Sequence, residues 1–267
     1  LTIDKKIGKL KGLFSQSDRI LLAFSGGVDS TFLLYTIARI FKLKVRALTV
    51  KTPYIPQWEV DEAISFCQEY NIEHKVVDLP FPRSIISNPH DRCYRCKKVL
   101  FSEIKNYAGE NQFNIIVDGS NADDLSDYRP GIRALDELKI LSPLIKSGIT
   151  KEEIREQLKS WELEIWNKPA YACLLTRIPH DTEVDEKMLY IIEQAELFIK
   201  DLGFAGTRVR LHGDIARLEC YPKYIEEINK NKVRSVIISR LKELGIKHIT
   251  LDMEGYKMGS LNIIRDK

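Results

Sequence analysis

The sequence lacks any apolar run long enough to span a membrane, and nothing resembling a signal peptide precedes its first apolar run at Leu21 to Phe24. It also lacks an excess of either charge: 41 Lys and Arg stand against 38 Asp and Glu, a formal net charge of +3. With no basic tail or stripe, a dedicated nucleic-acid binder is not expected. Internal repeats and low-complexity tracts are missing too. Cysteine is sparse and odd in number, five in 267 residues, so the disulfide framework of a secreted scaffold is not expected. A cytoplasmic location, with thiols serving as ligands or nucleophiles, is the expectation instead. The length suits one or two domains with a substantial core.

What is present begins with Leu21-Leu22-Ala23-Phe24-Ser25-Gly26-Gly27-Val28-Asp29-Ser30-Thr31. The run ending at Phe24 reads as a buried parallel strand. Phe32, Leu33, Leu34, Ile37 and Ile40 then recur at helical spacing, so a helix starts at once. The turn between them is built of residues without bulk. Its backbone N–H groups and the positive end of the helix dipole face whatever sits there, which suits pyrophosphate. Asp29 and Ser30 fall in the first helical turn, where they can reach a metal or a phosphate. No lysine follows the glycines, so this is not the P-loop of ordinary NTPases. Ser-Gly-Gly-x-Asp-Ser instead resembles the PP-loop of the ATP pyrophosphatase superfamily, which includes GMP synthetase, NAD synthetase and tRNA thiolases. Those enzymes cleave ATP between the α and β phosphates and leave AMP on an oxygen of the substrate. The resemblance implies a Rossmann-like α/β domain of the adenine nucleotide alpha hydrolase kind, built on a parallel sheet. It implies nucleotide contacts at Ala23, Ser25, Gly26, Gly27, Asp29 and Ser30, with Mg2+ at Asp29. It also places the adenine against backbone just past the second strand, about Thr49 to Lys51 with Val50 among them. A packing turn of small residues is the alternative, and six matching positions between a strand and a helix weigh against it.

Periodicity predicts a short amphipathic helix over 3–14, strands over 44–50, 73–79 and 114–117, and a helix over 58–70 carrying Cys67 on its apolar face. Prolines at 80, 82 and 89 argue against regular structure before Asn88-Pro89-His90-Asp91-Arg92-Cys93-Tyr94-Arg95-Cys96-Lys97-Lys98, after which a helix is expected. The strand at 114–117 runs into Asp118-Gly119-Ser120-Asn121-Ala122-Asp123-Asp124. In parallel α/β sheets strand C-termini hold the ligand, so this acidic segment is expected to face the same cleft. The superfamily resemblance implies polar nucleotide and magnesium contacts here, with Asp123 preferred, and a solvated helix-capping loop is the alternative. Thr150-Lys151-Glu152-Glu153 reads as a capping box opening a helix. Around Lys168-Pro169-Ala170-Tyr171-Ala172-Cys173-Leu174-Leu175-Thr176-Arg177-Ile178-Pro179 two prolines constrain a loop, and the first domain is expected to end just beyond it, giving domains of 1–180 and 181–267. The second reads as a smaller α+β domain for substrate binding or oligomerisation. It comprises a helix over 184–202, a hairpin turning at Gly213-Asp214, helices over 221–244 and a strand over 248–253. Arg208 and Arg210 share one strand face, with Arg217 and Glu219 on the partner strand. Pattern alone favours a solvated face of ion pairs, although paired arginines also suit a phosphate or carboxylate. Cys220 closes a strand and reads as packing.

Cys93-x-x-Cys96 is compatible with a redox dithiol, half a zinc site, part of an iron–sulfur site or a chance spacing. Cys173 adds a third thiol, with His90 or His180 as a possible fourth zinc ligand; three cysteines alone leave one coordination position open, which suits a 4Fe-4S cluster. Taken together, the PP-loop, Asn-Pro-x-x-Arg-Cys-Tyr-x-Cys-Lys, Asp-Gly-Ser-Asn-x-Asp-Asp and Lys-Pro-Ala-x-Ala-Cys-Leu-x-x-Arg-Ile-Pro resemble the LarE family over almost the whole chain. Its members insert sulfur into the nickel-pincer nucleotide cofactor of lactate racemase. The resemblance implies adenylation of a carboxylate of pyridinium-3,5-biscarboxylic acid mononucleotide by ATP and Mg2+, with Asp29 and Cys173 as the catalytic pair. In single-cysteine members the cysteine matching Cys173 gives up its own sulfur. The additional Cys93 and Cys96 resemble instead the three-cysteine subgroup, in which the trio holds a 4Fe-4S cluster. By motif position the resemblance assigns Arg177, Arg208 and Arg210 to the substrate phosphate. It further implies a homo-oligomer, a hexamer in the family, and a nickel-insertion enzyme of the same pathway as partner.

Three other readings compete. A tRNA thiolase also combines a PP-loop with three cluster cysteines, but needs a surface for a polyanion that the balanced charge does not supply. An amidating synthetase of the NAD or GMP synthetase kind needs no cysteine trio. A nucleotide-binding or iron-sensing regulator would bind ATP without cleaving it.

Overall fold

The apolar pattern ahead of the glycines is resolved in a computed structural model that describes residues 1–125 and 130–257. Helix α1 (Ile3–Lys11) leads into β1 (Ile20–Ala23), and the glycine turn opens α2 (Val28–Tyr35), which continues as one π-helical turn over Thr36–Ile40. Then follow β2 (Val45–Lys51), α3 (Gln57–Glu69), β3 (Glu73–Asp78), α4 (Arg92–Glu110) and β4 (Ile115–Val117). Helices α5 (Pro130–Glu137), α6 (Pro143–Ser147) and α7 (Lys151–Ser160) come next. The four strands form one parallel sheet in the order β3-β2-β1-β4. Chain order therefore reverses between β1 and β4, which is where an open α/β sheet leaves a crevice beyond its strand C-termini.

The central strand β1 is covered on both faces, as parallel sheets require, while the edge strand β3 leaves Glu73 and Lys75 exposed. In β1, Ile20 and Leu22 join a core with Phe32 and Leu33 of α2, Ala63 and Cys67 of α3 and Ile154 and Leu158 of α7. Leu21 faces the other way, into a cluster with Leu48, Val50, Phe101, Ile104 and Leu135. Cys67 is thus the packing residue its helical position predicts, and burial pushes its thiol up to about 12. Thr150 caps α7 by the reciprocal pattern expected: its side chain accepts from the Glu153 N–H, while Glu153 accepts from the Thr150 N–H at 2.8 Å. The periodic helix through Ile40 departs from expectation. The π turn rotates the helical face there, and Ile40 ends exposed.

A second compact unit consists of Ile86–His90 and the chain from Pro169 onward, the first unit being Leu1–Ile85 and Asp91–Lys168. The sequence pattern set this division at residue 180; in the structure residues 169–180 belong with the second sheet. Arg208 donates to the Ala170 carbonyl, and the Gly206 N–H donates to the Tyr171 hydroxyl. Residues 86–90 join them because the Asn88 side chain, fully buried, donates to the carbonyls of Leu175, Ile178 and Pro179. The unit contains α8 (Glu186–Asp201), β5 (Arg208–His212), β6 (Ile215–Glu219), α9 (Pro222–Asn229), α10 (Asn231–Glu243) and β7 (His248–Leu251). Strands β5 and β6 form the expected antiparallel hairpin, with Gly213 at φ +61°, and β7 joins β6 in parallel. Cys220 is fully buried at the end of this hairpin.

Among the described residues no helix is long and apolar enough to cross a membrane. Phe32 is fully buried and stacks on Trp161, with centroids 5.4 Å apart and planes 6° from parallel. Phe32→Ala should therefore cost about 3–5 kcal/mol through lost burial and a residual cavity, read as a lower urea midpoint for the first unit.

Candidate active site

The glycine turn and the segment after β4 meet at the reversal of strand order. Gly26 has φ +67°, and a Cβ there would lie 3.0 Å from Ala63 Cβ, so both conformation and space demand glycine. Gly27 caps α2. The Ser30 hydroxyl lies 3.1 Å from Ser25 Oγ and donates to the Gly27 carbonyl at 3.1 Å, which fixes the turn from within. From the other side a Cβ on Gly119 would come within 2.9 Å of Ser30 N and Cα. Ala23 is half-buried and Val50 buried at the C-terminal ends of their strands. Thr49 donates to the Phe24 carbonyl at 2.8 Å and joins the two strand ends.

Asp29 sits in the first turn of α2, partly buried. Its Oδ2 accepts from Asn121 Nδ2 at 3.1 Å and lies 3.4 Å from Lys151 Nζ. Its Oδ1 is buried with no hydrogen-bond partner among the described residues. Burial pushes its pKa above the ordinary carboxylate value, the nearby Asp124 charge adds to the rise, and Lys151 and Asn121 oppose it. A buried carboxylate oxygen without a donor is a ready ligand for a hard cation, so the residues present fit Mg2+. Asp123, the preferred contact from sequence, turns its carboxylate onto the Lys151 N–H at 2.7 Å, while its own N–H donates to Asn121 Oδ1. The segment after β4 thus reaches Asp29 through Asn121 and the charge of Asp124. Two lysines that the sequence reading passed over also reach this turn: Lys151, and Lys168, which donates to the Gly26 carbonyl at 2.9 Å. Both lie more than 100 residues beyond the glycines, and although Lys151 falls in the capping box and Lys168 opens the Lys-Pro-Ala motif, neither pattern places its ammonium at this turn.

In the second unit the arginine face is buried, which corrects the solvated face that pattern favoured. Arg177 forms a two-pronged pair with Glu196, Nε to Oε1 at 2.8 Å and Nη2 to Oε2 at 2.9 Å. It also donates to the Ala172 carbonyl at 2.9 Å and so braces the Cys173 loop. Arg210 pairs with Glu219 at 2.6 Å and donates to the Thr176 carbonyl. Arg208 meets the Ala170 carbonyl and the rings of Tyr171 and Tyr256, 4.6 and 5.1 Å from their centroids. Its Nη1 is buried without a hydrogen-bond partner among the described residues. Burial, then the Arg177 charge, lowers its pKa. The 170–177 loop and Glu219 of β6 supply the acceptors for this face.

Cys93 and Cys96 lie in the first turns of α4 rather than in a loop ahead of it, one helical turn apart, Cys93 exposed and Cys96 with its sulfur 3.2 Å from the Tyr54 hydroxyl. Cys173, in the second unit, caps a short 3-10 turn over Leu174–Arg177 and is half-exposed. Among the described residues no three His, Cys, Asp or Glu side chains are grouped to hold a metal ion. By donor chemistry three thiols fit an iron–sulfur cluster.

Residues 19–122 match the protein family described as "Queuosine biosynthesis protein QueC". An uncharacterized protein of Synechocystis sp. is 33% identical, covering 99% of this chain and 100% of its own. An uncharacterized protein of Methanocaldococcus jannaschii is 34% identical over 95% of this chain and 98% of its own. The pyridinium-3,5-bisthiocarboxylic acid mononucleotide synthase of Lactiplantibacillus plantarum is 30% identical over 98% of this chain and 95% of its own.

The raised pKa of Asp29 means that the folded chain holds its proton more tightly than the unfolded chain. Stability must then fall as pH rises from the ordinary carboxylate value through the raised one, and level off above it. Asp29→Asn removes that slope. Urea midpoints measured without Mg2+ should show the variant gaining on the wild type across this window, and the gap constant at higher pH.

Proposed function

The chain belongs to the family of the pyridinium-3,5-bisthiocarboxylic acid mononucleotide synthase, the LarE family, and from that premise we propose an ATP-dependent sulfur transferase acting on pyridinium-3,5-biscarboxylic acid mononucleotide. The observation that carries the adenylating half-reaction is the Ser25 to Ser30 turn, with the bare Asp29 Oδ1 inside it. A carboxylate oxygen of the substrate attacks the α phosphorus of ATP. The bond from that phosphorus to the bridging oxygen breaks, and its electron pair leaves with pyrophosphate. Backbone N–H groups of the turn receive the pyrophosphate, Asp29 holds Mg2+, and the adenine lies against the backbone near Val50. The product is an acyl adenylate, whose AMP is a far better leaving group than the original oxygen. Sulfur then bonds to the carbonyl carbon, and AMP departs with the electron pair, leaving a thiocarboxylate.

Cys93, Cys96 and Cys173 are the thiolates of this proposal. A 4Fe-4S cluster bound by them supplies soft sulfur that is deprotonated at neutral pH. Arg177, held by Glu196, fixes the backbone of the Cys173 loop through the Ala172 carbonyl. Substrate phosphate is assigned to the arginine face, Arg208 offering its unused N–H and Arg177 and Arg210 framing it. A homo-oligomer in the cytoplasm, handing its product to a nickel-insertion enzyme, completes the reading.

Two measurements decide it. Anaerobically purified protein should carry about four iron and four acid-labile sulfide atoms per chain, and Cys93→Ala or Cys96→Ala should lose both along with sulfur transfer. If either variant completes one full turnover without iron, Cys173 is itself the sulfur donor. Asp29→Asn should lose pyrophosphate release by on the order of 10²-fold or more with its fold intact; unchanged release would remove Asp29 from the site.

A further inference from the structure

A P-loop takes the positive charge for its phosphates from the lysine after its glycines, and this turn has none. The pyrophosphate that leaves in the adenylation proposed above would bring several negative charges into it. The fold brings cations from elsewhere. Lys168 Nζ donates to the Gly26 carbonyl at 2.9 Å and pairs with Glu62 at 2.7 Å, its side chain only 12% exposed. The Trp58 ring lies 6.0 Å from the same ammonium. Lys151 Nζ stands at Asp29.

The backbone of each lysine is anchored. The Lys168 carbonyl accepts from Arg155 Nη2 at 2.8 Å, and Arg155 also donates to the Trp166 carbonyl. Lys151 opens α7, and its N–H donates to Asp123. Only the flexible four-carbon stems have to move, and an ammonium with three rotatable donors exchanges partners readily. Its present partners at Lys168 are a carbonyl oxygen and a partly exposed carboxylate, both weaker acceptors than a phosphate bearing more than one charge.

We propose that Lys168, with Lys151 beside Asp29, is the catalytic cation of this site, taking the place of the missing P-loop lysine at the departing pyrophosphate. As the bond between the α phosphorus and the bridging oxygen breaks, its electron pair settles on pyrophosphate oxygen. The Lys168 ammonium stabilises that charge and remains protonated, so no proton has to be supplied. This inference rests on the adenylation reading and adds the group that stabilises its leaving anion.

The test uses the full chain with Mg2+, calorimetric binding of α,β-methylene-ATP and of AMP, and pyrophosphate release with ATP and the biscarboxylic mononucleotide. AMP lacks the phosphates that the cation would hold. Lys168→Met should therefore weaken the methylene analogue at least tenfold, leave AMP within twofold, and slow pyrophosphate release by on the order of 10²-fold. Lys168→Arg should recover part of both losses. Glu62→Gln removes the competing carboxylate charge and leaves only the Gly26 carbonyl and a neutral amide to hold the ammonium, so it should tighten the analogue. If Lys168→Met leaves analogue binding and release within twofold, or weakens analogue and AMP equally, Lys168 is not the cation and the adenylation reading stands. If the wild type binds neither nucleotide, the adenylation reading itself fails and takes this inference with it.

Discussion

The first unit depends on how closely two pieces of backbone approach at the reversal of strand order. Gly119 lies where any Cβ would strike Ser30 within 2.9 Å, and Gly26 lies where one would strike Ala63 within 3.0 Å. Two glycines far apart in sequence thus let the start of α2 nest between the end of β4 and the start of α3. The approach brings Asn121 to Asp29 and leaves Asp29 Oδ1 buried without a donor among the described residues. It also aligns the turn's N–H groups with the start of a helix whose dipole favours an anion there. Site and packing are one arrangement in this region, because the same missing side chains serve both.

The second unit is organised around buried charge. Arg177 with Glu196, and Arg210 with Glu219, are ion pairs almost wholly removed from water. Such pairs are weak evidence for stability, since desolvation offsets most of the attraction. They are strong constraints on geometry. Glu196 also accepts from the Val209 N–H at 2.9 Å, so one carboxylate ties α8, β5 and the loop bearing Cys173 into a single register.

Much of this was legible because its causes are local. The strand, glycine turn and helix at 21–34 follow from periodicity and the absence of side chains. The Thr150 cap and the Gly213 hairpin follow from residue types at fixed short offsets. The features that escaped depend on distant chain. The burial of Arg208 and Arg210 requires a loop 38 residues away for one and 34 for the other. The reach of Lys168 to Gly26 spans 142 residues, and that of Asn121 to Asp29 spans 92. Asn88 looks like a turn residue beside a proline, yet its side chain holds three carbonyls about 90 residues on, which is why residues 86–90 sort with the second unit. Alternation along β5 is the same for a solvated face and for one covered by acceptors. Only the covering segment distinguishes them.

The two units share an electrostatic logic, each considered on its own. In the first, burial works against the charge of Asp29, and one of its oxygens is unmet among the described residues. In the second, burial works against the charge of Arg208, and one of its nitrogens is likewise unmet among the described residues. A hydrogen-bonding group left so costs about 1–3 kcal/mol, more when it is charged, and a counter-charge that arrives there offsets it. A cation at Asp29 and an anion at Arg208 would each relieve such a deficit. In each unit, a ligand of the opposite charge that binds the folded chain and not the unfolded one would stabilise that unit by mass action.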